Sequence, residues 1–221
     1  MESIKFKFID SPKLSAMQNM DFDKSLLDTF DGTSIFRLYC WEKNSFSLGR
    51  FQDINSLGNL DRYGSSWAKR ITGGGVLLHG NDISYSLVLP THFFSSISVK
   101  ESYEKICSFI FDFYLKLGFI VSYAKDLDIP LKKSPFCQVG FEPYDIIING
   151  KKIGGNAQRR TKKLIFQHGS IPIFEDKREH SGVSLEELGI KINEYEAKKM
   201  LKESFTRVFM AGRGRFELPE V

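Results

Sequence analysis

Asn149-Gly150 limits the topology of this chain more than any other pair of residues. Asn-Gly supplies the two positive-φ positions of a two-residue hairpin turn, and so short a turn joins only antiparallel strands. Residues 144–148 and 151–153 are the strands it connects. Residues 83–89 add a second strand signal, with Ile83, Tyr85, Leu87 and Leu89 alternating against Ser84, Ser86 and Val88. Residues 35–42 read as a strand, followed by a turn at Lys43-Asn44 and a short strand ending at Gly49. Residues 67–71 and 76–78 read as strands on either side of Gly73-Gly74-Gly75. Residues 119–123 form another, and 164–173 form one more, interrupted at His168-Gly169.

Helices are inserted between these strands. Met20, Leu26, Leu27 and Phe30 recur at helical spacing, with Gly32 placed to end the helix. The clearest helix starts at Ser98, where Ser98 and Glu101 have capping-box spacing. Tyr103, Ile106, Ile110, Phe113 and Leu117 line one of its faces, and Gly118 supplies its stop. Helices around 184–188 and 194–210 close the chain. The pattern predicts an α+β domain with a mixed, largely antiparallel β-sheet flanked by helices. A doubly wound parallel fold fits less well, because strands and helices do not alternate.

A chain of 221 residues is long enough for one well-buried domain. Residues 1–210 read as a single catalytic domain and 211–221 as a flexible C-terminal tail. The 20 Phe imply an aromatic core with an apolar slot left over. Asp112 and Lys116 interrupt the apolar stretch 106–121, which is therefore too polar to span a membrane. Residues 1–13 lack the apolar run of a signal peptide. Cys40, Cys107 and Cys137 are an odd, sparse set without metal-ligand spacing, which suits free thiols in a reducing cytoplasm and implies no metal site. A net charge of +4 is too mild to indicate nucleic acid, although a basic face would attract an acidic carrier protein.

Four segments carry candidate chemistry. In Arg70-Ile71-Thr72-Gly73-Gly74-Gly75-Val76-Leu77-Leu78-His79 the glycines expose backbone N–H groups to a phosphate, carboxylate or thioester. They serve a strained hairpin turn equally well, and the segment is neither a Walker A loop nor a GxGxxG helix opening. In Gly150-Lys151-Lys152-Ile153-Gly154-Gly155-Asn156-Ala157-Gln158 a lysine leaves a hairpin into small residues. It can polarise an acyl carbonyl there, or remain a solvated turn lysine. Only one of Lys151 and Lys152 points inward, since neighbours on a strand face opposite sides. Gln167-His168-Gly169-Ser170 indicates a close backbone approach, with His168 a core residue or a ligand contact. Ser134-Pro135-Phe136-Cys137-Gln138 puts a cysteine in an irregular loop, where a nearby cation such as Lys152 would favour the reactive thiolate. Cys40 and Cys107 lie in apolar patterns and read as core.

Taken together and in this order, these segments resemble the lipoate–protein ligase/octanoyltransferase superfamily, whose fold is shared with biotin protein ligases. The resemblance also takes in Asn19-Met20-Asp21-Phe22-Asp23, Phe46-Ser47-Leu48-Gly49-Arg50-Phe51-Gln52 and Asp82-Ile83-Ser84-Tyr85-Ser86, so it covers nearly the whole chain. Cys137, shortly before the Lys152 hairpin, is similar in placement to the cysteine of the Gram-positive type of octanoyltransferase. One departure concerns the first motif: the family usually has an Asp directly after the His, whereas Gly80 follows His79 here and the acid comes at Asp82.

The resemblance implies Cys137 and Lys152 as catalytic residues. It implies Arg70, Gly73, Gly74, Gly75, His79, Gly155, Asn156, Ala157 and His168 as substrate-binding residues. It further implies two-step transfer from octanoyl-acyl carrier protein, through a Cys137 thioester, to a lysine of a lipoyl-domain protein. Such acceptors are the glycine cleavage H protein and dehydrogenase E2 subunits. No cofactor, nucleic acid or membrane is implied, and the expected setting is the cytoplasm. The alternatives are an ATP- and Mg-dependent lipoate–protein ligase or its catalytic subunit, an amidotransferase acting between lipoyl domains, and a non-catalytic acyl-binding regulator.

Overall fold

In a computed structural model of the protein, which describes residues 5–179 and 182–210, the chain opens with a β-α-β unit. Strand β1 (Phe6–Leu14) leads into helix α1 (Ala16–Asp28) and returns as β2 (Ser34–Trp41), parallel to β1. Ser15 starts α1 with a capping box, its hydroxyl accepting from the Gln18 backbone N–H at 3.3 Å while the Gln18 side-chain oxygen accepts from the Ser15 backbone N–H at 3.1 Å. The parallel unit was not anticipated, because β1 has no hairpin partner close in sequence.

The chain continues through β3 (Ser45–Leu48), β4 (Ser66–Lys69), β5 (Leu77–His79), β6 (Asp82–Pro90) and α2 (Val99–Lys116). It ends with β7 (Ser122–Tyr123), β8 (Ile146–Ile148), β9 (Lys151–Lys152), β10 (Gly155–Arg160), β11 (Leu164–Pro172) and α3 (Glu194–Met210). The main sheet has the order β1-β2-β6-β11-β10, and two three-stranded sheets run β4-β3-β5 and β7-β8-β9. Among the described residues, only the strand pairs β1-β2 and β3-β4 are parallel. The fold is therefore α+β with a mixed, largely antiparallel sheet. No helix among the described residues is long and apolar enough to cross a membrane.

The alternation of 83–89 gives the main sheet two unlike faces. On one, Ile83, Tyr85 and Leu87 of β6 join Phe36 and Leu38 of β2 in a large apolar cluster with α2 and α3. Phe36 stacks on Phe205 of α3 with centroids 3.9 Å apart, and Phe109 of α2 meets Phe36 edge-on at 5.4 Å. Full burial of each such ring contributes about 1.5–3 kcal/mol. On the other face, Arg37, Tyr39 and Trp41 of β2, Ser84 and Ser86 of β6, and His168 and Ser170 of β11 are all buried and mostly polar. Helix α1 packs against β2 and β6, and His79 of β5 stacks on Trp41 of this second face.

Several boundaries move. The strand expected to break at His168-Gly169 is continuous over Leu164–Pro172 and paired on both sides. The expected helix at 184–188 is one turn, in which the Ser184 hydroxyl and the Glu187 carboxylate cap each other. The strand expected over 119–123 shrinks to Ser122–Tyr123, and that over 67–71 stops at Lys69. Asn149 and Gly150 have φ of 50° and 72°, as their turn requires. The tail assigned to 211–221 lies outside the described residues.

Candidate active site

Cys137 sits where three segments converge. Its loop is bound to the glycine-rich segment by a short parallel bridge: the Val76 N–H donates to the Pro135 carbonyl at 2.8 Å, and the Cys137 N–H to the Val76 carbonyl at 2.7 Å. This approach depends on Gly75, where a Cβ would stand 2.8 Å from the Cys137 nitrogen. At Gly155, at the start of β10, a Cβ would stand 2.9 Å from the Cys137 sulfur. The two expected small-residue segments therefore flank the thiol and make room for it.

A cleft of about 310 Å³, including its open mouth, adjoins this thiol. Cys137, Arg70, His79, Gly155, Asn156, Ala157 and His168 line it, so the structure brings together seven of the residues singled out in the sequence. Tyr39, Trp41, Leu77, Ser84 and Gly169 complete the lining. No phenylalanine is among these residues. The aromatic cluster around Phe36, Phe109 and Phe205 lies on the other face of the main sheet, and the apolar wall of the cleft comes from Trp41, Tyr39 and Leu77 instead.

Arg70 is the cation on this wall. Its guanidinium donates to the Ser47 hydroxyl at 2.7 Å, the Ser47 carbonyl at 2.9 Å and the Gly75 carbonyl at 2.6 Å. Burial lowers its pKa from the usual arginine value, and the charges of Cys137 and Tyr39 oppose that shift. The Gly73 carbonyl lies 3.4 Å from the same guanidinium, and the Gly74 carbonyl lies against Gly49, where a side chain would not fit. In this arrangement Gly73, Gly74 and Gly75 shape the Arg70 pocket.

Each buried histidine has a carboxylate at one ring nitrogen and a hydroxyl at the other. His79 Nδ1 lies 2.9 Å from Asp82 and its Nε2 2.7 Å from the Ser47 hydroxyl, while its ring stacks on Trp41 at 3.8 Å. Asp82 also accepts from the Gly80 N–H and from the hydroxyls of Ser84 and Ser170. The acid two residues later than usual thus still reaches the histidine. His168 Nε2 lies 2.6 Å from the Thr72 hydroxyl, and its Nδ1 3.5 Å from Asp23 on α1. Asp23 is also held by Arg37 at 2.8 Å and by Ser86 at 2.7 Å. Burial depresses the pKa of both histidines against the pull of these carboxylates, which favours the neutral ring in each. Both nitrogens of each ring are engaged by these carboxylates and hydroxyls.

Lys152 faces inward and Lys151 outward, as alternation requires. The Lys152 ammonium is 2.5 Å from Asp145, and it is not among the residues lining the cleft. Burial raises the pKa of the Asp145 carboxyl, and the Lys152 charge offsets only part of that rise. The Gly169 expectation also has a concrete basis, since a Cβ there would stand 2.6 Å from the Tyr85 ring. Cys40 and Cys107 are buried, and burial pushes both thiols up to about 12. Sequence reasoning missed Asp23, Asp145, Ser47, Thr72, Tyr39 and Trp41 as parts of the site. Asp23, Ser47 and Thr72 lie inside the motif segments without having been given a role, and the β2 residues left a signal in the alternation of Arg37, Tyr39 and Trp41 with Phe36, Leu38 and Cys40.

The family model for the lipoyl protein ligase A/B catalytic domain matches residues 15–207 of this chain. Octanoyltransferase LipM of Oceanobacillus iheyensis is 32% identical over 178 residues, covering 76% of this chain and 64% of its own length. Octanoyltransferase LipM of Bacillus subtilis is 28% identical over 239 residues, covering 96% of this chain and 86% of its own. The chain spans just under two thirds of the length of the first of these relatives. A crystal structure of lipoate-protein ligase A bound with ATP superposes with a TM-score of 0.73 at 18% identity, over 93% of this chain and 85% of that one. At that identity the superposition speaks for the fold.

Proposed function

Because this chain belongs to the lipoyl protein ligase A/B catalytic domain family, we propose that it is an octanoyltransferase that carries its acyl group on Cys137. The donor in this reading is octanoyl-acyl carrier protein. The acceptor is a lysine of a lipoyl-domain protein, and the reaction belongs to protein lipoylation in the cytoplasm. The relatives named octanoyltransferase LipM support the activity. The single observation that carries the cysteine route is the half-buried Cys137 thiol on the cleft wall, against Gly155 and beside the buried Arg70.

In the first step the Cys137 thiolate attacks the donor thioester carbonyl. A carbon–sulfur bond forms to Cys137 and the carrier thiol leaves as thiolate. In the second step the neutral lysine amine attacks the acyl-enzyme carbonyl, an amide forms, and Cys137 leaves with the electron pair and recovers a proton from the nitrogen. Arg70 is the fixed positive charge on the same cleft wall as the sulfur, and it faces the negative charge that passes through the site in both steps. Lys152 is the second cation, and it acts on the acyl carbonyl when its ammonium exchanges Asp145 for substrate. His79 and His168 hold the cleft walls through Ser47 and Thr72. An octanoyl chain buries six more methylenes than acetyl. At about 0.8 kcal/mol each, that favours it by roughly 5 kcal/mol.

The test compares two complete reactions on a purified lipoyl domain. With octanoyl-acyl carrier protein and no nucleotide, the protein modifies the acceptor lysine, and Cys137→Ala abolishes the modification. Acceptor modification that requires ATP and free octanoate, and that survives Cys137→Ala, would instead establish a ligase.

A further inference from the structure

The segment Gly49-Arg50-Phe51-Gln52 has no part in the chemistry above, yet it reaches the Cys137 loop. Gln52 folds back on its own turn, its backbone N–H donating to the Gly49 carbonyl at 2.9 Å and its side-chain oxygen accepting from the Gly49 N–H at 3.0 Å. The turn is fastened to the glycine-rich segment, since the Arg50 N–H donates to the Thr72 carbonyl at 2.8 Å. From this anchored base the Gln52 side-chain nitrogen donates to the Pro135 carbonyl at 2.9 Å. That carbonyl is the one that accepts from Val76 in the bridge positioning Cys137.

We infer that Gln52 is a positioning residue for Cys137, its amide spanning from the Gly49 turn to the Pro135 carbonyl and fixing where the thiol sits against Gly155. The assignment rests on the reading of Cys137 as the acyl carrier. The side chain must accept at one atom and donate at another, across one fixed length, and a primary amide does both. An ionised glutamate keeps the acceptor half but turns an oxygen lone pair on the Pro135 carbonyl. A protonated glutamate can donate again. Methionine fills similar space and makes neither bond.

The test uses the full chain with Gln52→Met and Gln52→Glu, and it reads amide hydrogen exchange by mass spectrometry. Peptides spanning 134–139 exchange about three- to tenfold faster in Gln52→Met than in wild type, the loss expected for one modest hydrogen bond. Peptides from β6 serve as the control and do not change. In Gln52→Glu the same acceleration is present at neutral pH. Relative to wild type at each pH, it disappears as pH falls through the carboxyl range. In octanoyl transfer, kcat falls by a similar factor while KM for the donor holds. Exchange at 134–139 equal to wild type in both variants overturns the inference, and so does a Glu-to-wild-type ratio that stays flat across pH. Hydrogen exchange needs no acyl donor. A wild-type protein that takes no octanoyl group would therefore count against the proposed function alone and leave the role of Gln52 to the exchange data.

Discussion

Gly155→Ala probes the geometry around Cys137 with a single added methyl group. Gly155 does not adopt a positive φ, so alanine fits the backbone there without strain. The new Cβ would stand 2.9 Å from the Cys137 sulfur, whereas relaxed heavy-atom contacts lie at about 3.5–4.0 Å. The thiol must therefore withdraw by roughly 0.6–1.1 Å, which rotation of the half-buried Cys137 side chain can supply while its backbone stays bridged to Val76. Overpacking costs about 1–3 kcal/mol in a rigid core, but a single side chain that can turn away and the entropy gained on replacing glycine keep the net loss near 1 kcal/mol. Catalysis is less tolerant, since a displacement of about 1 Å at a reacting atom costs on the order of a hundredfold. Steady-state octanoyl transfer, paired with thermal unfolding of the same sample, measures both quantities. Wild-type turnover in a folded Gly155→Ala protein would refute the reasoning that the thiol is used where the structure puts it.

The remaining expectations concern the buried polar face and the turns. Asp23→Ala leaves Arg37 charged and unpaired where both side chains are fully buried. Chemical denaturation should show a loss of about 3–5 kcal/mol. Because both His79 and His168 have pKa values depressed below the usual histidine value, the unfolded chain binds protons before the folded one does. Stability is thus held above the ordinary histidine range and falls as pH drops through it, which a melting series from pH 8 to pH 5 would record. Gly150→Ala imposes a side chain on φ of 72°, with an expected cost of about 1–2 kcal/mol by denaturation and no change in the transfer rate per folded molecule.

What the sequence disclosed followed how local its signals are. The Asn149-Gly150 turn, the Ser98-Glu101 cap and the alternation of 83–89 each act within a few residues, and each appears in the structure as read. Strand β1 pairs with β2 across an intervening helix, and nothing within its nine residues names that partner. The His168-Gly169 pair was read as a break because polar residues interrupt an apolar run. Its neighbours β6 and β10 instead supply the strand with full ladders, and the polar side chain finds Asp23 and Thr72 from distant segments. The site was legible as four motifs because the cleft is built from them. Their wiring was not, since Arg70 to Ser47 and Lys152 to Asp145 are contacts made only after folding. The structure brings Arg70 and Cys137 onto one cleft wall and engages Lys152 with Asp145, so Arg70 takes first place as the charge beside the thiol.

The central claim is that Cys137 carries the acyl group, and intact-mass analysis followed by peptide mapping tests it most directly. The protein is mixed with octanoyl-acyl carrier protein in the absence of any acceptor, then quenched in acid. The account expects one octanoyl group per chain, mapped to the peptide containing Cys137, labile to hydroxylamine and absent in Cys137→Ala. Cys40 and Cys107, buried with thiols pushed up to about 12, remain unmodified. An unmodified Cys137 in a protein that still octanoylates a lipoyl domain would contradict it.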